Sequence, residues 1–376
     1  MKILFSAFIN PLRKSGVDKK IHGQIKALEK LGHDVWYFIF KDSCMYLCHG
    51  DEKVLLSDSV QQSPVGYYMA IEKGMRKSAD MIDLDMVYIR RIFCTPFHLK
   101  TLSLLKAKGI VTVEELPTYP YDEENKKYTS KAYKVAAVVD KICRGNFKKH
   151  LDYFVTYSED STIFGVNCIN LENGIDMDNI RFTPTVFADD RIDMIAVSVM
   201  APWHGYERIL EGMRNYYAAN PQKPVYFHMV GDGAEKENWE KLSKEYGLEE
   251  YVTFYGHLTG DSLSAIFDRC QIGIASLGFY KINLTSGSPL KIREYTAMGK
   301  PFIYANCEQR LDDVCSFCMR ISNDPTPVDI NQVVEFYNRI SAVEDISVNM
   351  HEFANNNYSW DIQMKKVIDK IAEHTK

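Results

Sequence analysis

Along this chain, apolar runs of strand length alternate with stretches whose apolar residues return at helical spacing, which is the pattern of buried parallel strands joined by helices. Residues 2–8 read as a strand, 10–16 as a polar loop, 17–31 as an amphipathic helix and, past Gly32-His33-Asp34, 35–40 as a second strand. That βαβ opening puts a glycine-bearing loop at the carboxyl end of its first strand, where open parallel sheets hold ligands. Strand 86–90, helix 96–108 and strand 110–113 continue the alternation. A stiff loop of prolines, tyrosines and acids (114–124) follows, then a basic helical stretch at 131–150, a strand at 152–158 and an Asn173-Gly174 turn signal. Periodicity lapses at 181–190 and restarts at 193–200. Strands at 225–230, 252–255 and 272–276 alternate with helices at 206–219, up to Tyr246 and at 263–269. The expected fold is α/β, two Rossmann-like doubly wound parallel-sheet domains facing a cleft. Their expected bounds are 1–180 and 190–357, with an amphipathic helix in the tail 358–376 packing back on the N-terminal domain.

The stretch 283–304, NLTSGSPLKIREYTAMGKPFIY, concentrates the candidate chemistry. A small polar loop (Ser286, Gly287, Ser288) feeds a helix opened by Pro289 and Leu290 and stopped at Gly299, ahead of the strand 302–304. Free N–H groups at a helix start, together with the helix dipole, form an anion site. Lys291 adds a positive charge, and Glu294 can accept hydrogen bonds from a ribose diol. These residues suit a nucleoside diphosphate, although a Ser/Gly loop before a helix is also ordinary α/β punctuation.

Composition sets limits. The chain has 376 residues, 46% of them hydrophobic, with net charge −5. That length favours two domains, and the charge offers no general attraction to nucleic acid. Apolar runs are too short to span a bilayer, and the first residues read as a buried strand without a leader cleavage site. Nine scattered cysteines fit a reducing cytoplasm, and the lone Cys315-Ser-Phe-Cys318 carries little weight as a metal or redox motif. The basic stretch 131–150 either lies on an anionic membrane face or is a solvated face packed on the sheet. GxGxxG is absent, and Asp83-Leu-Asp85 reads as a turn, so no metal site is expected and no cofactor is implied.

The segments together resemble the GT-B glycosyltransferases, specifically the retaining group called family 4. The resemblance runs through SGVDKKIHGQIKALEKLGHDV, LENGID, HGYERIL, VGDG, VTFYGHL, LKIREYTAMGKPFI and the final YSW. It implies sugar transfer from a UDP- or GDP-sugar to a hydroxyl, without metal, with retention at the anomeric carbon. LKIREYTAMGKP looks like the family's LEAMACGTP signature and puts Glu294 on its ribose-binding glutamate. Ser286 stands where the family has its first motif glutamate, and Val199 and His204 stand where it has the diphosphate-holding Arg and Lys. The resemblance therefore leaves the phosphates to Lys291, with Arg293, His204 or Arg208 helping, and the base to Gly256 and His257. Glu115 and Tyr119 are candidates on the acceptor side, with Asn10 and Gly16 nearer the sugar. WHGYER, SPLKIREY and PTYPYD look like a subgroup of bacterial capsule and surface-polysaccharide enzymes. The implied acceptor is a glycan or lipid-linked glycan, met in the cytoplasm or at the inner membrane face. A sugar-nucleotide epimerase or phosphorylase of the same fold is an alternative, and a non-catalytic two-domain sugar- or nucleotide-binding protein is another.

Overall fold

The computed structural model describes residues 1–12, 16–122, 130–221, 223–284, 289–305, 311 and 315–374. The chain forms two compact units, Met1–Asp176 with Ser359–Lys376, and Met177–Tyr358. The crossing into the second unit falls just before the stretch where sequence periodicity lapses.

The first unit is built on strands β1 (Lys2–Ser6), β2 (Asp34–Lys41), β3 (Cys44–His49), β4 (Glu52–Ser57), β5 (Met86–Arg90), β6 (Val111–Leu116), β7 (Tyr153–Thr156), β8 (Thr162–Ile163) and β9 (Val166–Asn170). They lie in the order β4-β3-β2-β1-β5-β6-β7-β9-β8. From β2 to β9 the neighbours run parallel, with β1 between β2 and β5. Beyond β2, the strands β3 and β4 add an antiparallel meander that the sequence pattern does not predict. Its first turn places Asp42 and Ser43 both at positive φ (50° and 61°), the conformation of a two-residue hairpin turn, built without the usual Asn-Gly signal. The helix Pro64–Met81 follows, capped by Ser63, whose hydroxyl accepts from the Gly66 N–H at 3.0 Å.

The tail helix Trp360–His374 packs against the helix Gly16–Lys30 of the same unit. Trp360 sits where a Cβ on either Gly23 or Gly174 would overlap its indole. Gly174 is thus a glycine because of close packing, with no positive φ to require it.

The second unit holds β10 (Ile192–Val197), β11 (Val225–Val230), β12 (Val252–Gly256), β13 (Ile272–Ile274), β14 (Phe302–Tyr304) and β15 (Cys318–Arg320), in the order β12-β11-β10-β13-β14-β15. Every pairing is parallel, and the inner strands β11, β10, β13 and β14 are nearly unbroken apolar runs, as burial on both faces demands. Chain order reverses between β10 and β13, which opens a crevice at their carboxyl ends. The helices Ile330–Ser341 and Ile346–Tyr358 complete the layer around this core. A disulfide joins Cys315 to Cys318, the first residue of β15.

Candidate functional site

Two loops meet at the reversal point of the second unit. The loop after β10 runs through the short helical turn Pro202–His204, and the loop after β13 runs through Phe279–Ile282. Backbone bonds sew them together: Leu277 N–H donates to the His204 carbonyl at 2.8 Å and Gly278 N–H to the Trp203 carbonyl at 3.2 Å. Gly205 (φ 63°) lies against Gly278 so closely that a side chain on either would strike the other's backbone. Under the same edge, Gly231 (φ 132°) and Gly233 (φ 150°) leave no room for a Cβ against the Ser198 and Met200 backbone. Gly231→Ala should therefore destabilise the unit by at least about 1–3 kcal/mol, read as a lowered thermal midpoint.

The helix Leu290–Met298 starts at this crevice, with Pro289 as its cap residue and Gly299 (φ 72°) ending it. Gly273 on β13 has no side chain because the Tyr295 ring occupies that place, which brings the helix close to the sheet. Lys291 is half-buried. Its Nζ donates to the Tyr206 hydroxyl at 2.9 Å and stands 3.4 Å from His204 Nδ1. His204 Nδ1 is also 2.8 Å from Ser276 Oγ, and its ring stacks on Tyr206. Desolvation lowers the Lys291 ammonium to about 7, opposed by Glu294. Burial first, and the Lys291 charge second, hold His204 at about 3, so it is a neutral imidazole at pH 7 whose Nδ1 accepts. The cluster is a desolvated cation beside neutral hydrogen-bonding groups, suited to receive an anion. Glu294 lies one helical turn from Lys291 on the same face, and exposed.

Two sequence assignments are corrected here. Arg293 is two residues from Lys291, hence on the opposite face of the helix; it is fully buried, with its guanidinium 3.6 Å over the Tyr358 ring. Arg208 is buried as well. It spends its donors on the carbonyls of Leu277 (2.6 Å) and Thr326 (2.7 Å), so it clasps the loops that carry the site and does not face a ligand. His257 is exposed and Gly256 (φ 68°) is open beside it at the end of β12. Leu290 is exposed at the helix start. Ser286, Gly287 and Ser288 lie outside the described residues. Tyr206 and Ser276 had no signal of their own in the sequence; only the sewing of the two loops brings them to Lys291.

In the first unit, Glu115 is a third correction. Strand β6 is buried on both faces, and the Glu115 carboxylate is fully enclosed. It pairs with Lys20 and Arg90, each at 3.0 Å, and accepts from Gln24 and the Tyr88 hydroxyl, each at 2.8 Å. Burial alone would raise its pKa, but Lys20 and Arg90 hold it at about 2. A carboxylate so fully engaged is a poor proton acceptor and has no path to a substrate. Tyr119 is half-buried in an aromatic cluster with Tyr121 and Phe164. Tyr121 donates to Asp140 at 2.9 Å and Arg144 holds Asp122 with two bonds, which fasten this loop to the basic helix Lys131–Cys143. Asn10 accepts from Leu12 N–H at 2.9 Å in the loop after β1, and Gly16 opens the helix that follows.

Residues 191–321 match the family described as glycosyl transferases group 1. No curated protein matches the chain by sequence. Among solved structures, HepE of Anabaena in complex with UDP superposes with TM-score 0.61 at 15% identity, over 99% of this chain and 100% of that one. Sucrose-phosphate synthase from Thermosynechococcus elongatus gives TM-score 0.58 at 14% identity, over 99% of each chain. The lipopolysaccharide outer core galactosyltransferase WaaB gives TM-score 0.58 at 15% identity, over 98% of this chain and 100% of that one. At such identities the likeness to these structures is one of fold, two Rossmann-like units of the GT-B type.

Proposed function

We propose that this protein, a glycosyltransferase of the GT-B type, takes a sugar from a UDP- or GDP-sugar and delivers it with retention to a hydroxyl of a glycan or lipid-linked glycan. The carrying observation is the Lys291–Tyr206–His204 cluster at the reversal point of the second sheet. Glycosyl transfer leaves growing negative charge on the departing diphosphate, and fixed positive groups there lower the barrier more than a strong base would. Lys291 meets that charge, and the neutral His204 ring, accepting at Nδ1, positions the ammonium. Glu294 holds the ribose, and Gly256 and His257 flank the base. The phosphate charge is met by protein groups, with no metal required. Tyr119 and Asn10 stay on the acceptor side as assignments from sequence. A bacterial surface polysaccharide is the product class, and the basic 131–150 segment, which exposes Val135, Val138 and Ile142 between lysines, gives the protein a peripheral hold on an anionic membrane face. No helix among the described residues is long and apolar enough to cross a membrane.

Calorimetric titration with UDP, GDP, CMP and ADP, repeated with the matching sugar nucleotides, tests the donor site. Binding of one diphosphate, weakened in Glu294→Ala, supports it; no binding by any of them removes it. Product analysis by NMR then decides retention through the anomeric coupling.

Charge on Lys291 gives this binding a pH signature. With its pKa near 7 in the empty site, the ammonium is largely neutral above that pH, and a diphosphate must bring a proton with it. Affinity should fall by up to about tenfold per pH unit between pH 7.5 and 9, a trend that Lys291→Ala should flatten.

A further inference from the structure

The β3–β4 addition and the helix Pro64–Met81 line an open pocket of about 500 Å³, within the range of small-molecule sites. One wall is aliphatic, made by Met45, Leu56, Val60, Val65, Met69 and Ala70. Lys73 and Lys77 supply the charge. Val65, Met69, Lys73 and Lys77 follow one another at four-residue steps, so they form one stripe along the helix, apolar toward its start and cationic further on. None of the lining residues is acidic. Glu72, next to Lys73, is buried with His98 at 2.7 Å and does not face the cavity. The Lys77 ammonium is held at the wall by the Leu56 carbonyl, 3.3 Å away.

Two smaller hollows share a wall residue with it. One, lined by Asn10, Leu12 and Tyr67, shares Val60 and opens at the carboxyl edge of the sheet, the edge that holds ligands in this architecture. The other is almost wholly apolar, shares Val65, and reaches Tyr133 and Ala136 of the basic helix. On that helix Val135, Val138 and Ile142 are 64%, 60% and 74% exposed, far more aliphatic surface than a solvated face needs.

We propose that this cavity binds an anionic amphiphile: an aliphatic chain bearing a phosphate, with the chain along the Met45–Val60–Met69 wall and the phosphate at Lys73 and Lys77. An apolar wall alone would take a neutral hydrocarbon, and lysines alone would take any anion. Their arrangement on one helix stripe selects a molecule having both parts. Taken with the glycosyltransferase reading, on which this last step rests, the amphiphile is the lipid portion of the acceptor.

The test is calorimetric titration of the full chain with decyl phosphate below its micellar concentration, alongside inorganic phosphate and decyl maltoside. Saturable binding of decyl phosphate alone is expected, weakened at least tenfold in the double variant Lys73→Glu, Lys77→Glu and in the cavity-filling variant Ala70→Phe. Equal affinity for inorganic phosphate would overturn the apolar half of the proposal, and equal affinity for decyl maltoside the anionic half. Absence of decyl phosphate binding, or binding unchanged in both variants, would overturn the whole. Circular dichroism and the thermal midpoint of each variant show that its first unit is folded, and UDP titration keeps the outcomes apart: wild type that binds decyl phosphate without UDP refutes the donor assignment and leaves the cavity standing.

Discussion

Lys291→Ala should lower turnover by about 10²–10³-fold, the range seen when one preorganised group facing a developing oxyanion is removed. The size follows from where the ammonium sits. It is desolvated, so its interaction with a diphosphate is screened far less than that of a surface lysine. It is also fixed by the Tyr206 hydroxyl at 2.9 Å, so little reorganisation is needed as charge develops. The fall should appear in kcat and kcat/KM together if the interaction grows in the transition state, whereas Glu294→Ala should act mainly through KM. Lys291→Arg should rescue little, because a planar fork does not fit the geometry of a point charge. Steady-state rates with a labelled sugar nucleotide check this, with circular dichroism as the folding control. A Lys291→Ala enzyme with the wild-type rate would remove the lysine from the chemistry.

Glu115→Ala should destabilise the first unit by about 3–5 kcal/mol, as expected when one member of a buried ion pair is taken away. Lys20 and Arg90, 14% and 16% exposed, would be left as two largely buried cations without their shared carboxylate. The pH dependence provides an independent readout. A carboxylate whose pKa falls from 4.5 to about 2 on folding contributes stability that is fully present above pH 4.5 and is lost as pH falls toward 2, a term of roughly 3 kcal/mol. Chemical denaturation of wild type should show that slope, and Glu115→Gln should lack it. If Glu115 were instead the acceptor's base, the alanine variant would keep its stability and lose only turnover.

The two alanine variants also mark where sequence was legible. Strands buried on both faces leave unbroken apolar runs, and 86–90, 225–230 and 302–304 are read from sequence at the bounds they have in the structure. The meander at 44–57 escaped because its first turn uses Asp42-Ser43 and its outer strand β4 is largely exposed, leaving neither a turn signature nor a clean alternation. Lys291 and Glu294 could be paired from helical spacing alone. Arg293, Arg208 and Glu115 could not be placed, since a charged residue in sequence looks solvated. Each found its partners far along the chain: the Tyr358 ring, the Leu277 and Thr326 carbonyls, and Lys20 with Arg90. Burial of charge is decided by such distant company, and no local pattern records it.

Trp360 has a consequence for how the molecule is made. It fills the space that Gly23 and Gly174 leave open, yet the ribosome reaches it only after the whole of Met177–Tyr358 has been translated. Domains generally fold as units in the order of synthesis, at about 5–20 residues per second, but here the earliest-made unit must wait roughly ten seconds or more for the indole and helix that close it. During that interval the apolar face of Gly16–Lys30 stays uncovered on the nascent chain. The later-made unit, contiguous in sequence, has all its parts first. Maturation therefore runs from the inserted unit outward, and the helix Trp360–His374, translated after that unit, completes the one begun before it.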